Sequence, residues 1–228
     1  MIKASAIIAA GGTGKRMGRP KQLLPLCGSS VLERTLDAFI SCRCFRRIIV
    51  VTTEQNFKKI EKIKSKFPSL IFAPAGATRL ESVLSGLKAA ENENGLIAVH
   101  DGARPLVCPK DIRACLEAAQ KYGAAVLAVA VKDTIKLSKD GRFIDKTLKR
   151  AQLFAAQTPQ CYRADILKKA LAKYGKLKQA TDESQLVEKT GVKTVLVPSS
   201  YANIKITTPE DLITAEALCK AMGSRKLK

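Results

Sequence analysis

The chain has 228 residues, of which 46% are hydrophobic and 26% are charged. This length and composition support one domain with a sizeable core and exclude a wholly disordered protein. Forty Lys and Arg against twenty Asp and Glu leave a formal charge of +20, which favours anionic partners such as nucleic acid, an anionic membrane or phosphorylated small molecules.

The first half of the chain alternates short apolar runs with segments of helical periodicity. Strands are predicted over 2–10, 47–52, 96–99 and 125–129, and helices over 31–40, 60–67, 80–90 and 109–122. Ser30 and Glu33 form the capping-box pattern that opens the first helix, and Gly123 ends the fourth. This rhythm predicts an α/β domain with a mostly parallel, helix-covered sheet.

The segment 132–160 breaks this rhythm. It has alternation without a helical period, a turn at Asp140-Gly141, and seven basic residues against three acidic ones. These features predict a projecting β-hairpin arm. Because an isolated hairpin is marginally stable in water, we expect the arm to pack against a second subunit. The whole chain, 1–228, is then a single domain that carries this arm.

After the arm the α/β rhythm resumes. Helices are predicted over 165–174 and 182–190, and strands over 193–197 and 203–207. A last helix is predicted to begin at Pro209, with Thr208 as its N-cap.

The counts of cysteines, histidines and long apolar runs restrict the compartment and the chemistry. Seven cysteines without a C-x-x-C pair indicate reduced thiols in a reducing compartment. A single histidine excludes a His-rich metal site. No apolar run approaches the ~20 residues of a membrane helix, and the N-terminus leads directly into a glycine loop. We therefore expect a cytoplasmic protein without membrane contact.

The glycine-rich segment 9–21, after the first strand, is the most informative stretch. It is not a Walker A loop, because Ala9 and Arg16 stand where that motif needs a glycine and a hydroxyl, and Met17 breaks the dinucleotide-binding pattern. A glycine turn nevertheless lets backbone N–H groups approach a polyphosphate closely. Four cations lie within seven residues: Lys15, Arg16, Arg19 and Lys21. The segment favours phosphoryl or nucleotidyl transfer over the alternative, a flexible turn with solvated charges.

Three polar residues further along the chain have open interpretations. Asp101 follows the predicted strand 96–99, and ligands bind at the C-terminal ends of parallel strands, although an N-cap in the next loop is the alternative. We expect His100 to be a packed structural residue. Lys205 is compatible with either a site or a solvated position.

Several segments taken together resemble one enzyme family over about residues 3–218. They are 9–17, 20–22, 81–87, 100–105, 133–134, 157–160, 181–183, 203–205 and 209–211. In this order they are similar to the 2-C-methyl-D-erythritol 4-phosphate cytidylyltransferase family of the non-mevalonate isoprenoid pathway. The resemblance implies a Rossmann-like nucleotidyltransferase domain. It implies that a cytidylyl group passes from CTP to 2-C-methyl-D-erythritol 4-phosphate with release of pyrophosphate, and that Mg²⁺ is the cofactor.

The resemblance also implies roles for individual residues. Arg16 and Lys21 would be the catalytic residues that stabilise the transition state, and Asp101 is a candidate Mg²⁺ ligand. The implied nucleotide-binding residues are Ala10, Gly11, Gly12, Gly14, Gly76, Ser82, Asp101, Gly102 and Lys205. The implied residues that position the alcohol phosphate are Arg104, Thr134, Arg150 and Thr158. Thr134 and Arg150 lie on the arm, so the resemblance implies a homodimer with exchanged arms.

Two alternative functions remain at this point. A cytidylyltransferase for another alcohol phosphate, such as ribitol 5-phosphate, would carry nearly the same loop and arm. A nucleic-acid-binding protein would explain the charge. However, the chain has no RNP, zinc-finger or helix-turn-helix pattern and only 5% aromatic residues, so we expect no specific nucleic-acid binding.

Overall fold

The computed structural model describes residues 2–12, 14, 17–18, 20–90, 94–174 and 182–225, with side chains up to 222. In chain order its elements are β1 (Ala4–Ala9), β2 (Pro25–Leu26), β3 (Ser29–Ser30), α1 (Val31–Cys42), β4 (Phe45–Thr52), α2 (Glu54–Lys66), β5 (Leu70–Pro74), α3 (Arg79–Ala89), β6 (Leu96–Asp101), α4 (Pro109–Tyr122), β7 (Ala124–Ala130), β8 (Lys136–Leu137), β9 (Lys146–Thr147), β10 (Phe154–Arg163), α5 (Ala164–Tyr174), α6 (Glu183–Glu188), β11 (Val195–Pro198) and α7 (Pro209–Arg225). Short 3₁₀ turns lie at Lys21–Leu23 and Arg150–Gln152.

The central sheet has the strand order β11-β7-β10-β6-β1-β4-β5. Its neighbouring strands pair in parallel, except that β10 runs antiparallel to both β6 and β7. The prediction of an α/β domain with a mostly parallel sheet is therefore confirmed.

Helices cover both faces of the sheet because the strands alternate their apolar side chains. Along β1, Ile8 packs with α1, α2 and α4 on one face, and Ile7 packs with α3, α5 and α6 on the other. Both isoleucines have no exposed surface. A strand buried on both sides is apolar on both faces, and β1, apolar except for Ser5, was predicted from this pattern.

The predicted capping box at the start of α1 is present. Glu33 N–H donates to Ser30 Oγ at 3.2 Å, and Ser30 N–H donates to Glu33 Oε2 at 2.7 Å. At the end of α4, Gly123 has φ +94°, a backbone conformation that favours glycine and ends the helix there as predicted.

The predicted arm, 132–160, is too long at its C-terminal side. The hairpin of β8 and β9 lies between residues 136 and 147, and Phe154–Arg163 forms β10 in the middle of the central sheet. The arm is thus limited to about 132–153. The sequence pattern did not predict β10 as a strand of the central sheet, because its residues Gln157, Thr158 and Gln160 are polar yet buried.

The segment 203–207 is not the strand that its alternation predicts. It is an irregular connection between β11 and α7, held by a hydrogen bond from Ile206 N–H to Ala103 O at 2.9 Å. This bond ties the connection to the turn that follows β6, so the connection lies beside the end of that strand.

Two further expectations were that the cysteines are reduced and that the chain has no membrane helix. All seven cysteines are free thiols. In the part of the chain that the structure describes, none of the helices has the length and apolar character needed to cross a membrane.

Candidate active site

A cavity of about 290 Å³ opens at the carboxyl ends of β1 and β6. The two strands pair in parallel with Ala9 opposite Asp101, so the segments that follow them meet at one edge of the sheet. The cavity is lined by the following predicted site residues: Ala10, Gly11, Gly12, Lys21, Gly76, Ser82, Asp101, Gly102 and Lys205. Residues distant in sequence therefore converge where an α/β sheet usually binds its ligand.

The glycine loop is held against the sheet by buried hydrogen bonds. Ala10 N–H donates to Val51 O at 2.8 Å, and a Cβ atom at Gly11 would overlap the side chain of Ala75. Gln22 is 2% exposed, and its Nε2 donates to Ala10 O at 2.6 Å and to Gly12 O at 2.9 Å. The amide of Gln22 thus fixes the backbone of the loop where it borders the cavity.

Two predicted residues of the loop are not among the described cavity-lining residues. Gly14 has φ +71° and accepts a hydrogen bond from Met17 N–H at 2.7 Å. Arg16, the other predicted catalytic residue, lies outside the described residues. Lys21 begins the 3₁₀ turn Lys21–Leu23 on the cavity wall.

Asp101 is the centre of a cluster of cations. Its Oδ1 accepts a hydrogen bond from Arg79 Nη1 at 2.5 Å. Its Oδ2 lies 2.9 Å from Lys205 Nζ and 3.5 Å from Arg104 Nε. Burial alone would raise the pKa of Asp101, but the charge of Arg79, followed by that of Lys205, holds it well below its usual range. The side chain is therefore a carboxylate at neutral pH.

Arg79 connects this carboxylate to α6. Its Nη2 donates to Glu183 Oε2 at 3.1 Å, and the Glu183 side chain is 1% exposed. Burial raises the pKa of Glu183, although Arg79 opposes this shift. Burial disfavours the charge on Arg79 as well, but Asp101 and Glu183 outweigh it and raise the pKa of Arg79. The guanidinium therefore stays charged and fixes α6 relative to β6.

Gly76 and Ser82 lie on the part of the cavity wall that is built by the start of α3 and the turn before it. Gly76 N–H donates to Ser82 Oγ at 3.1 Å, and that hydroxyl donates to Thr78 O at 2.9 Å. A Cβ atom at Gly76 would overlap the side chain of Glu81. Glu81 also completes a capping box with Thr78. These hydrogen bonds make the turn before α3 rigid where it borders the cavity.

Arg104 and Thr158 lie behind Asp101 and are not among the described cavity-lining residues. Thr158 is 4% exposed, and its Oγ1 accepts the Asp101 N–H at 3.0 Å. Arg104 Nη1 donates to Asn203 O at 2.7 Å. Within one chain both residues contact Asp101. The resemblance had implied instead that they position the alcohol phosphate.

Thr134 and Arg150, the predicted residues of the arm, are exposed and do not border this cavity within one chain. Arg150 Nη1 donates to Lys132 O at 3.0 Å. A separate cavity of about 870 Å³ borders Arg150 at the base of the arm, and there the Lys132 ammonium lies 4.0 Å from the ring centre of Tyr201.

Three functional residues were not singled out from the sequence: Gln22, Arg79 and Glu183. Gln22 directly follows Lys21, and Arg79 directly follows the N-cap of α3. Their roles depend on partners that only the fold brings together, because Arg79 is 22 positions from Asp101 and 104 positions from Glu183.

A magnesium ion is compatible with this donor set. In the described residues no three His, Cys, Asp or Glu side chains converge as a metal cage. Asp101 is the one carboxylate on the described cavity wall. Mg²⁺ is commonly bound by one or two carboxylates together with substrate phosphates and water, so a single aspartate on the cavity wall is compatible with this ion.

The comparisons with known proteins agree with one another. The chain matches the family model described as IspD, 2-C-methyl-D-erythritol 4-phosphate cytidylyltransferase, over residues 4–221. A protein of that name from Pelotomaculum thermopropionicum is 42% identical over 234 residues, covering 99% of this chain and 98% of that protein. Another from Dehalococcoides mccartyi is 42% identical over 222 residues, covering 96% of each.

A solved structure is also closely similar. The crystal structure of 4-diphosphocytidyl-2C-methyl-D-erythritol synthase from Anaerococcus prevotii has a TM-score of 0.87 and 33% sequence identity, and the match covers 96% of each chain. The likeness therefore extends over nearly the whole chain.

Proposed function

The chain belongs to the 2-C-methyl-D-erythritol 4-phosphate cytidylyltransferase family, and we propose that its reaction takes place in the cavity at the ends of β1 and β6. The enzyme transfers a cytidylyl group from CTP to 2-C-methyl-D-erythritol 4-phosphate, in the synthesis of isoprenoid precursors. The observation that supports this location is the cluster of cations around Asp101. The cluster and the glycine loop border the same cavity of about 290 Å³.

The chemistry requires charge stabilisation rather than a strong base. The phosphate monoester of the alcohol is anionic near neutral pH, so its oxygen attacks the α-phosphorus of CTP directly and pyrophosphate leaves. Negative charge builds on the oxygens around that phosphorus, and fixed cations stabilise it. We assign this role to Lys21 and Arg16. Backbone N–H groups of Gly11 and Gly12 would hold the triphosphate, whereas the Ala10 N–H is used to bind Val51 O.

The base of CTP is assigned to the wall made by Gly76 and Ser82. This wall is rigid, and no side chain can be added at Gly76 without overlap with Glu81. A pocket at this wall shaped for a pyrimidine would exclude the larger purine bases. Asp101 and Gly102 would face the ribose, and Lys205 would contact a phosphate.

The assignment of substrates can be tested by measuring pyrophosphate release with several nucleotide donors and several acceptor phosphates. We expect turnover with CTP and 2-C-methyl-D-erythritol 4-phosphate, and little with ribitol 5-phosphate, ATP or GTP. UTP should also be a poor donor, because it lacks the exocyclic amine of cytosine. Equal turnover of UTP would contradict the assignment of the base to Gly76 and Ser82, and preference for ribitol 5-phosphate would support the alternative acceptor.

We propose Mg²⁺ as the cofactor, held by Asp101 and the phosphates of CTP. When bound, the ion would neutralise charge on the triphosphate. We expect chelation by EDTA to abolish pyrophosphate release, and added Mg²⁺ to restore it. Asp101→Asn should raise the Mg²⁺ concentration needed for half-maximal rate, whereas unchanged metal dependence would remove Asp101 from the metal site.

The exposed arm supports a homodimer with exchanged arms. Its apolar side chains Leu137, Phe143 and Ile144 are 45%, 71% and 64% exposed in the single chain, and a short two-stranded hairpin has little stability of its own. A second copy of the chain would cover them and bring Thr134 and Arg150 to the partner's cavity. A mass measurement in solution that finds only monomers would contradict this arrangement.

A cytoplasmic location is supported by the seven free thiols, which suit a reducing compartment. Fractionation of cells with labelling of free thiols tests it, and paired cysteines in an oxidising compartment would contradict it.

A further inference from the structure

The single histidine of the chain lies directly beneath the proposed site. His100 is fully buried at the end of β6, and its ring packs against Phe39 with 4.8 Å between ring centres. Its Nδ1 lies 2.9 Å from Thr158 Oγ1, and its Nε2 lies 3.3 Å from Arg104 O. One imidazole thus contacts both a hydroxyl that binds Asp101 and the carbonyl of Arg104.

These contacts define one pattern of donors and acceptors. A carbonyl oxygen can only accept, so Nε2 carries the hydrogen and donates to Arg104 O. In the neutral ring Nδ1 then accepts, and the Thr158 hydroxyl donates to it. The oxygen of that hydroxyl accepts the Asp101 N–H at 3.0 Å. The opposite tautomer would direct two donors at the Thr158 oxygen and leave two acceptors facing each other at Arg104.

The same ring therefore fixes both ends of the turn 101–104. The turn is closed by Arg104 N–H donating to Asp101 O at 3.0 Å. It is also linked to the connection that carries Lys205, because Arg104 Nη1 donates to Asn203 O at 2.7 Å. A shift at His100 would move the backbone of Asp101 and the side chains around it.

We propose that His100 is a positioning residue for cytidylyl transfer: its Nε2–H tautomer orients the Thr158 hydroxyl, which holds the backbone of Asp101 in place at the nucleotide. This inference rests on the proposed role of Asp101. His100 and Thr158 act through Asp101 and need no contact with either substrate. Groups that orient the ligands of a metal site are typically worth about 10- to 100-fold in metal affinity or activity, and we expect an effect of this order here.

Two substitutions of His100 test the contacts of its two ring nitrogens separately. His100→Asn keeps an acceptor near the position of Nδ1, and His100→Gln keeps a donor near the position of Nε2. We expect His100→Asn to retain most of kcat, whereas His100→Gln lowers kcat about tenfold or more with a smaller change in either KM. Equal losses in both variants, or full kcat in His100→Gln, would overturn the proposal.

Thr158 provides a second pair of variants: Thr158→Val preserves its volume, and Thr158→Ser preserves its hydroxyl. Thr158→Val removes the hydroxyl and should lower kcat as His100→Gln does, and Thr158→Ser should restore it. Because both changes break the same connection, the double variant His100→Gln/Thr158→Val should be no slower than Thr158→Val alone. Additive losses would contradict the connection. Thermal melting of each variant, with assays far below its Tm, separates this result from a loss of folded protein.

Asp101→Asn, assayed in parallel, separates failure of the inference from failure of the proposed function. If Asp101→Asn keeps both the wild-type kcat and the wild-type Mg²⁺ dependence, the role of Asp101 at the nucleotide is wrong and the inference fails with it. If Asp101→Asn is slow while folded Thr158→Val and His100→Gln keep the wild-type kcat, only the inference is wrong.

Discussion

Replacing Lys21 with Ala is expected to lower kcat by about 10²- to 10³-fold, the usual cost of removing one preorganised charge donor from a transition state. Lys21 lies on the cavity wall at the start of a short 3₁₀ turn, so the loss of its ammonium should affect the reaction more than the fold. Arg16→Ala should have an effect of similar size, because the two side chains have the same assigned role.

The measurement is pyrophosphate release under saturating substrates, with thermal melting to show that the variant is folded. Lys62→Ala is a matched control, since Lys62 is an exposed lysine on α2 that does not border the cavity. It should keep the wild-type rate. A Lys21→Ala enzyme within a few-fold of wild type would remove this side chain from the mechanism.

The second large effect concerns the arm. Arg150→Ala should raise the KM for the alcohol phosphate and leave that for CTP nearly unchanged, because a guanidinium binds a phosphate through paired hydrogen bonds that alanine lacks. An Arg16→Ala chain and an Arg150→Ala chain, each nearly inactive alone, should complement one another when mixed. Each mixed dimer then has one intact composite site and regains up to about half the activity of a wild-type dimer.

A control for complementation is a chain that carries both substitutions, mixed with the Arg16→Ala chain. No intact site can form in that mixture, so its activity should stay low. Subunit exchange is verified with two differently tagged chains. If the Arg16→Ala and Arg150→Ala chains exchange and remain inactive, the arm does not contribute to the partner's site.

Most of the sheet was predictable because its strands bury both faces and its helices carry ordinary caps. β1 is a buried run that is apolar except for Ser5, and the capping box of Ser30 and Glu33 marks the start of α1. β10 was not predictable, because its interior contains Gln157, Thr158 and Gln160. These polar residues are buried in hydrogen bonds such as that from Gln160 Nε2 to Asp182 Oδ2 at 2.8 Å, and the pattern of the sequence resembles that of a loop.

The candidate site was predictable where its residues follow a strand end directly. The glycine loop after β1 and Asp101 at the end of β6 share one edge of the sheet. Each of them follows an apolar run that predicts a buried strand. The partners of Asp101 were harder to identify. Arg79 reaches it from the start of α3, and Glu183 at the start of α6 contacts Arg79 rather than Asp101. The pattern of the sequence around these two residues does not reveal either contact.

The position of β10 also determines the order in which the sheet can be completed. β6 and β7 are not neighbours, since β10 fills the space between them and is made only after the arm. While the chain is synthesised from its N-terminus, β6 keeps one edge without a partner until residues 154–163 have emerged. Such an edge can pair with other chains and aggregate. The arm therefore delays closure of the sheet, and the last central strand to form is the one that carries Thr158 to Asp101.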